Sequence, residues 1–151
     1  MHLIDGGLST ELERLGARIT GELWTGRTML TNPELVLKAH QNFVQAGAEI
    51  IISASYQLSR QGFEEIGLAK LDAENALVKS VSIAREATDN TSCKVAASVG
   101  PYGAVLHDGS EYRGDYKVSQ SQRIQALSLP RPMLYQNGSN TTKSASPQVH
   151  A

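Results

Sequence analysis

Apolar residues in the first part of the chain switch repeatedly between strand-like and helical spacing, and the switching predicts a strand–helix–strand series. Leu3 and Ile4 form a short apolar stretch that stops on Asp5, turns at Gly6-Gly7 and enters a helix. Thr10 followed by Glu13 fits a capping box and places the helix start there. Gly16 reads as that helix's stop. The segment 17–29 carries Gly21 and Gly26 and no clear period, so it reads as a loop around Trp24. Thr31-Asn32-Pro33-Glu34 is a strong helix start: Asn32 can cap, Pro33 suits the first helical position, and Glu34 suits the positive end of the helix dipole. Leu35, Val36, Ala39, Phe43 and Val44 then recur at helical spacing, and Gly47 closes the helix.

The residues 49–56 follow as a strand, and the unbroken run Ile50-Ile51-Ile52 implies burial on both faces. A looser stretch, 57–71, carries Gly62 and Gly67. Residues 72–87 read as a helix, with Asp72 as its cap and Ala76, Leu77, Val81 and Ala84 as its inner face. Residues 94–99 form a third strand, closed by Gly100-Pro101-Tyr102-Gly103. Strands separated by helices of this length make right-handed βαβ units and a parallel sheet. The strands end on Asp5, on Ser55-Tyr56 and on Gly100-Pro101, and a parallel sheet brings such ends to one edge, where ligands bind. A carboxylate beside bare glycine backbone and a helix start suits a ligand carrying both an ammonium and a carboxylate, the shape of an amino acid. A plain strand–turn–helix connection, with Asp5 tied to backbone N–H groups for structure alone, is the alternative.

From about Arg123 the periodicity is lost, Leu129-Pro130-Arg131-Pro132 blocks regular structure, and residues 136–151 are nearly all small or polar. The expected organisation is a folded segment, 1–122, and a divergent, disordered tail, 123–151. The 151 residues are 40% hydrophobic and 19% charged, which is globular composition, and the net charge of −1 with no basic block argues against nucleic acid. No run approaches the roughly 18 apolar residues of a spanning helix, so no membrane partner is expected. The start shows no signal-peptide pattern, and a cytoplasmic chain is the expectation. Cys93 is the only cysteine and reads as a small buried filler. His2, His40, His107 and His150 are scattered without metal-ligand spacing. His40 reads as a surface or helix–helix contact, and His107 as a solvated loop residue or part of the mouth. The Asp5 turn is neither a P-loop nor a dinucleotide fingerprint, and no serine stands in a G-x-S-x-G elbow.

Four blocks, DGGLSTELE from Asp5, LWTGRTMLTNPELVLKAH from Leu23, QAGAEIIISASYQ from Gln45 and SVGPYGAVLHDGSEYRGDY from Ser98, resemble the amino-terminal part of the homocysteine S-methyltransferase family. The resemblance spans roughly residues 3–122. It implies an α/β fold, the parallel (β/α)8 barrel, of which this chain supplies about the first three β/α units and an irregular tail. It implies methyl transfer from S-methylmethionine or S-adenosylmethionine to the sulfur of homocysteine, giving methionine. It further implies a zinc ion held by three cysteine thiolates, which presents that sulfur as a thiolate. Carried over, Asp5, Gly6 and Gly7 would receive the amino-acid end of homocysteine. Ser55 and Tyr56 would wall the mouth, and Gly100 and Pro101 would close it. The zinc cysteines belong to later parts of the family barrel, and a barrel takes about 250 residues. A truncated chain that binds no zinc, has no catalytic residue of its own and is inactive alone is therefore expected. The alternative is an interaction fragment that pairs with another chain through exposed sheet edges.

Overall fold

Helix starts and stops in this chain are set by a few polar contacts and by glycine, and they fix where the strand ends fall. The computed structural model describes residues 1–19, 25–56, 58, 63–64, 67, 69–100, 110–114, 116 and 118–122. The elements are α1 (Leu8–Arg14), α2 (Thr25–Thr31), α3 (Pro33–Gln45), β1 (Ile50–Ile52), α4 (Lys70–Ala87), β2 (Lys94–Ala96) and α5 (Ser110–Arg113). Trp24, Gly62, the His107 loop and the expected tail from Arg123 lie outside the described residues.

α1 begins earlier than the sequence predicts. Gly7 is its N-cap, no side chain caps it, and Glu11 N–H already donates to the Gly7 carbonyl (3.1 Å). Thr10 and Glu13 therefore sit inside the helix, and the expected capping box does not form. Both predicted glycine stops hold. After α1, Gly16 N–H donates to Glu13 O (2.9 Å) and Ala17 N–H to Leu12 O (2.9 Å). After α3, Gly47 N–H donates to Val44 O (3.0 Å) and Ala48 N–H to Phe43 O (3.1 Å). These are Schellman motifs, which need a left-handed residue, and Gly16 and Gly47 have φ of 93° and 98°.

α3 starts as predicted, with Leu35 N–H donating to the Asn32 side chain (3.3 Å) ahead of Pro33. α4 starts at Lys70, and Asp72 lies one turn in, where its carboxylate reaches back to Ala69 N–H (3.1 Å) instead of standing at the cap. α2 corrects the loop expected over 17–29: Thr25–Thr31 is helical, and Thr28 and Met29 are buried. A weakly periodic, threonine-rich segment is held helical there by packing rather than by propensity.

β1 and β2 pair in parallel with Ile50, Ile51 and Ile52 opposite Lys94, Val95 and Ala96, and Ile4 adds a parallel bridge to Ile50. The predicted parallel sheet is present, with shorter regular strands than the apolar runs suggest. Ile51 is fully buried beneath α3 and α4, among Ala48, Ala84, Ala87 and Val95. Ile52 and Ile4 are exposed, at 36% and 56%, so the isoleucine run is not buried on both faces as expected. Alternate strand residues face opposite ways, and the helices cover one of the two sides.

Around this sheet α1, α2 and α3 share a core of Leu12, Met29, Val36 and Ala39. α4 buries Ala73, Ala76, Leu77 and Val81 with Leu58 and Phe63, which reproduces the predicted inner face and extends it. Glu11 ties α1 to α3: Asn42 Nδ2 donates to its Oε1 (2.6 Å), and Arg14 grips both oxygens (2.7 and 2.8 Å). Those hydrogen bonds pull the Glu11 pKa down to about 2. Among the described residues no helix is long and apolar enough to cross a membrane.

Candidate functional site

The ends of β1 and β2 and the Asp5 turn meet at one edge of the sheet, around a cavity of about 300 Å³. That volume is at the small end of small-molecule sites. Asp5, Gly6, Leu8 and Ser9 line one side of it. Ile52, Ser53, Ala54, Tyr56 and Ser98 line the other, with Thr25 from the first turn of α2.

Asp5 is held where its strand stops being paired. Its own N–H donates to Ile50 O (3.0 Å), and the N–H of Ile52, at the end of β1, donates to its Oδ2 (2.8 Å). The carboxylate thus stitches two strand ends together and also borders the cavity. Burial raises its pKa, and the backbone hydrogen bonds from Ile52 and from Asp5 itself counter part of that rise. A half-buried carboxylate with a desolvation penalty is a good receptor for an ammonium, because pairing removes the penalty.

The far wall is built from hydroxyls and close backbone packing. Ser53 N–H makes the last ladder bond, to Ala96 O (2.9 Å). Ser98 N–H then donates to Ser53 Oγ (3.0 Å), and Ser55 Oγ donates to Ser98 O (2.8 Å). Two residues further on, Gly100 lies against the Tyr56 backbone so closely that a Cβ there would clash with the Tyr56 carbonyl oxygen.

Of the residues predicted from sequence, Asp5, Gly6 and Tyr56 border the cavity. Gly7 is the N-cap of α1, next to the lining but outside it. Ser55 is 2% exposed and lies behind the wall, and Gly100 braces Tyr56 from the neighbouring strand. Pro101 is outside the described residues. The sequence reading missed Leu8, Ser9, Thr25, Ile52, Ser53, Ala54 and Ser98. Ser53 and Ser98 carried a usable signal, since each is a hydroxyl breaking an apolar strand near its carboxyl end.

Cys93 stands just before β2 and is not part of the lining; burial pushes its thiol pKa up. His40, on α3, is fully buried, and neither ring nitrogen has a hydrogen-bond partner among the described residues. Among those residues no group of three or more His, Cys, Asp or Glu could hold a metal ion.

A family model described as homocysteine S-methyltransferase matches residues 2–130. Homocysteine S-methyltransferase 2 of Zea mays is 48% identical to this chain, over 87% of the chain and 45% of that protein. Homocysteine S-methyltransferase of Escherichia coli (strain K12) is 42% identical, over 85% of the chain and 44% of that protein. The crystal structure of the E. coli homocysteine methyltransferase MmuM in its metallated form superposes with a TM-score of 0.77 at 39% identity. The match takes in 88% of this chain and 48% of that one. The chain spans a little under half the length of these relatives.

Proposed function

The chain belongs to the homocysteine S-methyltransferase family, and on that premise we propose that the cavity beside Asp5 receives the amino-acid end of homocysteine for methyl transfer to its sulfur. Its fold is that family's parallel (β/α)8 barrel, represented here by the first β/α units. In the proposed reaction the homocysteine sulfur, as thiolate, attacks the methyl carbon of a sulfonium donor, S-methylmethionine or S-adenosylmethionine. A carbon–sulfur bond forms, the donor's bond to that methyl breaks, and a neutral thioether leaves with the electron pair. The reaction needs little acid–base help beyond loss of the thiol proton, so holding the two sulfurs in line is the main task.

The observation that carries this reading is the Asp5 carboxylate, pinned by Ile52 N–H at the cavity edge between the Gly6 turn and the Ser98 wall. Asp5 takes the substrate ammonium, the Gly6 side approaches the substrate closely, and Tyr56 with Ser98 bounds the far side. Zinc, which relatives of this kind are expected to use, does not fit the residues present. The sequence holds one cysteine, against three needed, and it is not at the mouth. No step is therefore assigned to a metal here, and the proposed role of these 151 residues is to bind and orient rather than to activate the sulfur.

Asp5→Asn keeps the shape and the acceptor for Ile52 N–H but removes the charge. Isothermal titration with L-homocysteine should show affinity falling about tenfold or more, as loss of a charge-assisted hydrogen bond implies. In the unsubstituted chain, affinity should fade on acidification as Asp5 takes its proton, at a higher pH than for an ordinary aspartate. An Asp5→Asn variant that binds homocysteine as tightly as the parent would contradict the reading.

A further inference from the structure

We propose that Ser53 and Ser55 are positioning residues, whose hydroxyls close a hydrogen-bond circuit with the backbone of Ser98 and thereby hold the far wall of the mouth in register. The inference deepens the homocysteine reading above and rests on it for its functional half.

The directions of the protons in this circuit follow from counting them. Ser55 has a single hydroxyl hydrogen, and Oγ donates it to Ser98 O at 2.8 Å. The 2.7 Å contact between Ser53 Oγ and Ser55 Oγ must then run from Ser53 to Ser55. Ser53 Oγ, having donated, accepts from Ser98 N–H at 3.0 Å. The loop is closed: Ser98 N–H to Ser53, Ser53 to Ser55, Ser55 back to Ser98 C=O. Both serines are buried, at 3% and 2% exposure, so water has little access to their hydroxyls.

The circuit sits where the backbone ladder gives out. Beyond Ser53 N–H to Ala96 O the chain after β1 turns, with Ser55 N–H donating to Ser53 O (2.8 Å), and its main chain no longer faces Ser98. The two hydroxyls stand in for the missing rung and satisfy both Ser98 backbone groups. They also leave no hydroxyl proton for a ligand. Ser53 borders the cavity but has spent its only hydrogen within the circuit, and Ser55 lies behind it. Their effect on a substrate is therefore exerted through Ser98 and, two residues on, through Gly100 packed on Tyr56. Such a closed, buried network loses more than one bond when one member is removed, because the others are left unmatched.

The test combines amide hydrogen exchange of the ligand-free chain with L-homocysteine titration. Ser53→Ala removes the acceptor for Ser98 N–H, and Ser55→Ala removes the donor to Ser98 O. Exchange at Ser98 should quicken about tenfold or more in the first, and homocysteine affinity should fall about tenfold in both. Ser53→Thr and Ser55→Thr, which keep the hydroxyls, should restore both readouts. Should one alanine variant fail to fold, the other and the two threonine variants still decide the matter. Unchanged Ser98 exchange in Ser53→Ala contradicts the circuit. Faster exchange with unchanged affinity contradicts the positioning role and leaves only a structural one. If the parent chain binds no homocysteine, the functional reading fails and takes the positioning role with it, while Ser98 exchange still reports on the circuit by itself.

Discussion

Replacing Gly100 with alanine is expected to destabilise the chain by about 3 kcal/mol and to abolish binding at the mouth, since overpacking against a fixed neighbour costs about this much. The new Cβ would run into the Tyr56 carbonyl oxygen and lie 3.1 Å from the carbonyl carbon. Both are backbone atoms, so no side-chain rotation relieves the clash, and one of the two strand ends has to move. Either displacement reaches the cavity. Tyr56 borders it directly, and Ser98, two residues before Gly100, is bonded through its N–H and C=O to Ser53 and Ser55. Urea denaturation and homocysteine titration of the variant measure the two effects. A Gly100→Ala chain within about 0.5 kcal/mol of the parent, the range of an ordinary surface change, would mean that these strand ends are not packed as described.

The second large effect is a loss of stability in mild acid that depends on His40. Its ring is fully buried on α3 without a hydrogen-bond partner among the described residues, and burial alone drives its pKa down from 6.5 to about 4. Between those two values the unfolded chain takes up a proton that the folded chain refuses. Stability is therefore complete above pH 6.5 and falls as the pH drops toward 4, by about 3 kcal/mol over the window and about 2 kcal/mol by pH 5. Three carboxylates act outside or against this slope. Glu11, held at about 2 by Arg14 and Asn42, and Glu49, lowered by the hydrogen bonds from Leu3 N–H and His2, add a loss only below their unfolded value of 4.5. Asp5 is raised above 3.8, so its contribution has the opposite sign and is lost as pH rises through its folded pKa. His40→Leu removes the titrating ring and the unpaired nitrogens together. Its urea-unfolding free energy should be nearly flat from about pH 7 to about pH 5, where the parent declines. Equal slopes in both chains would place the acid sensitivity elsewhere.

Much of this architecture is written in local signals. Asn32 and Pro33 start α3, Gly16 and Gly47 stop α1 and α3 in Schellman geometry, and the apolar face of α4 packs as its spacing implies. Such features depend on residues within a turn of one another, which a single sequence displays. The convergence of strand ends on one mouth was also legible, because a parallel sheet permits little else. What stayed hidden depends on contacts distant in sequence. Thr25–Thr31 is helical because Met29 and Thr28 find a core, not because its residues favour helix. The Thr10–Glu13 pattern was a decoy, overridden by the Gly7 carbonyl starting the helix one turn early. The isoleucine run of β1 suggested burial on both faces, but only the side facing α3 and α4 is covered. The sequence leaves His40 as a surface or a helix–helix contact, and its full burial on α3 removes the first of these. The serine circuit needs the register of β1 against β2, and no spacing within either strand reveals it.

At the candidate site the division is the same. Asp5 and Gly6 stood out because an acid and two glycines ending an apolar strand are unusual neighbours, and both border the cavity. Ser55 was expected on the wall and lies behind it, supporting Ser98. Ser98 and Ser53, which do face the cavity, carry no sequence signal beyond that of strand residues with a hydroxyl near a strand end.

Homocysteine bound at the mouth formed by Asp5, the end of β1 and Ser98 would leave its mark on the amides of that edge alone. Titrating the ¹⁵N-labelled chain with L-homocysteine while following every amide resonance reads that mark. Saturable shifts concentrated at Asp5, Gly6, Ile52, Ser53 and Ser98, with the amides of α4 unmoved, are the predicted result. Shifts that never saturate, or that cluster away from this edge of the sheet, would contradict it.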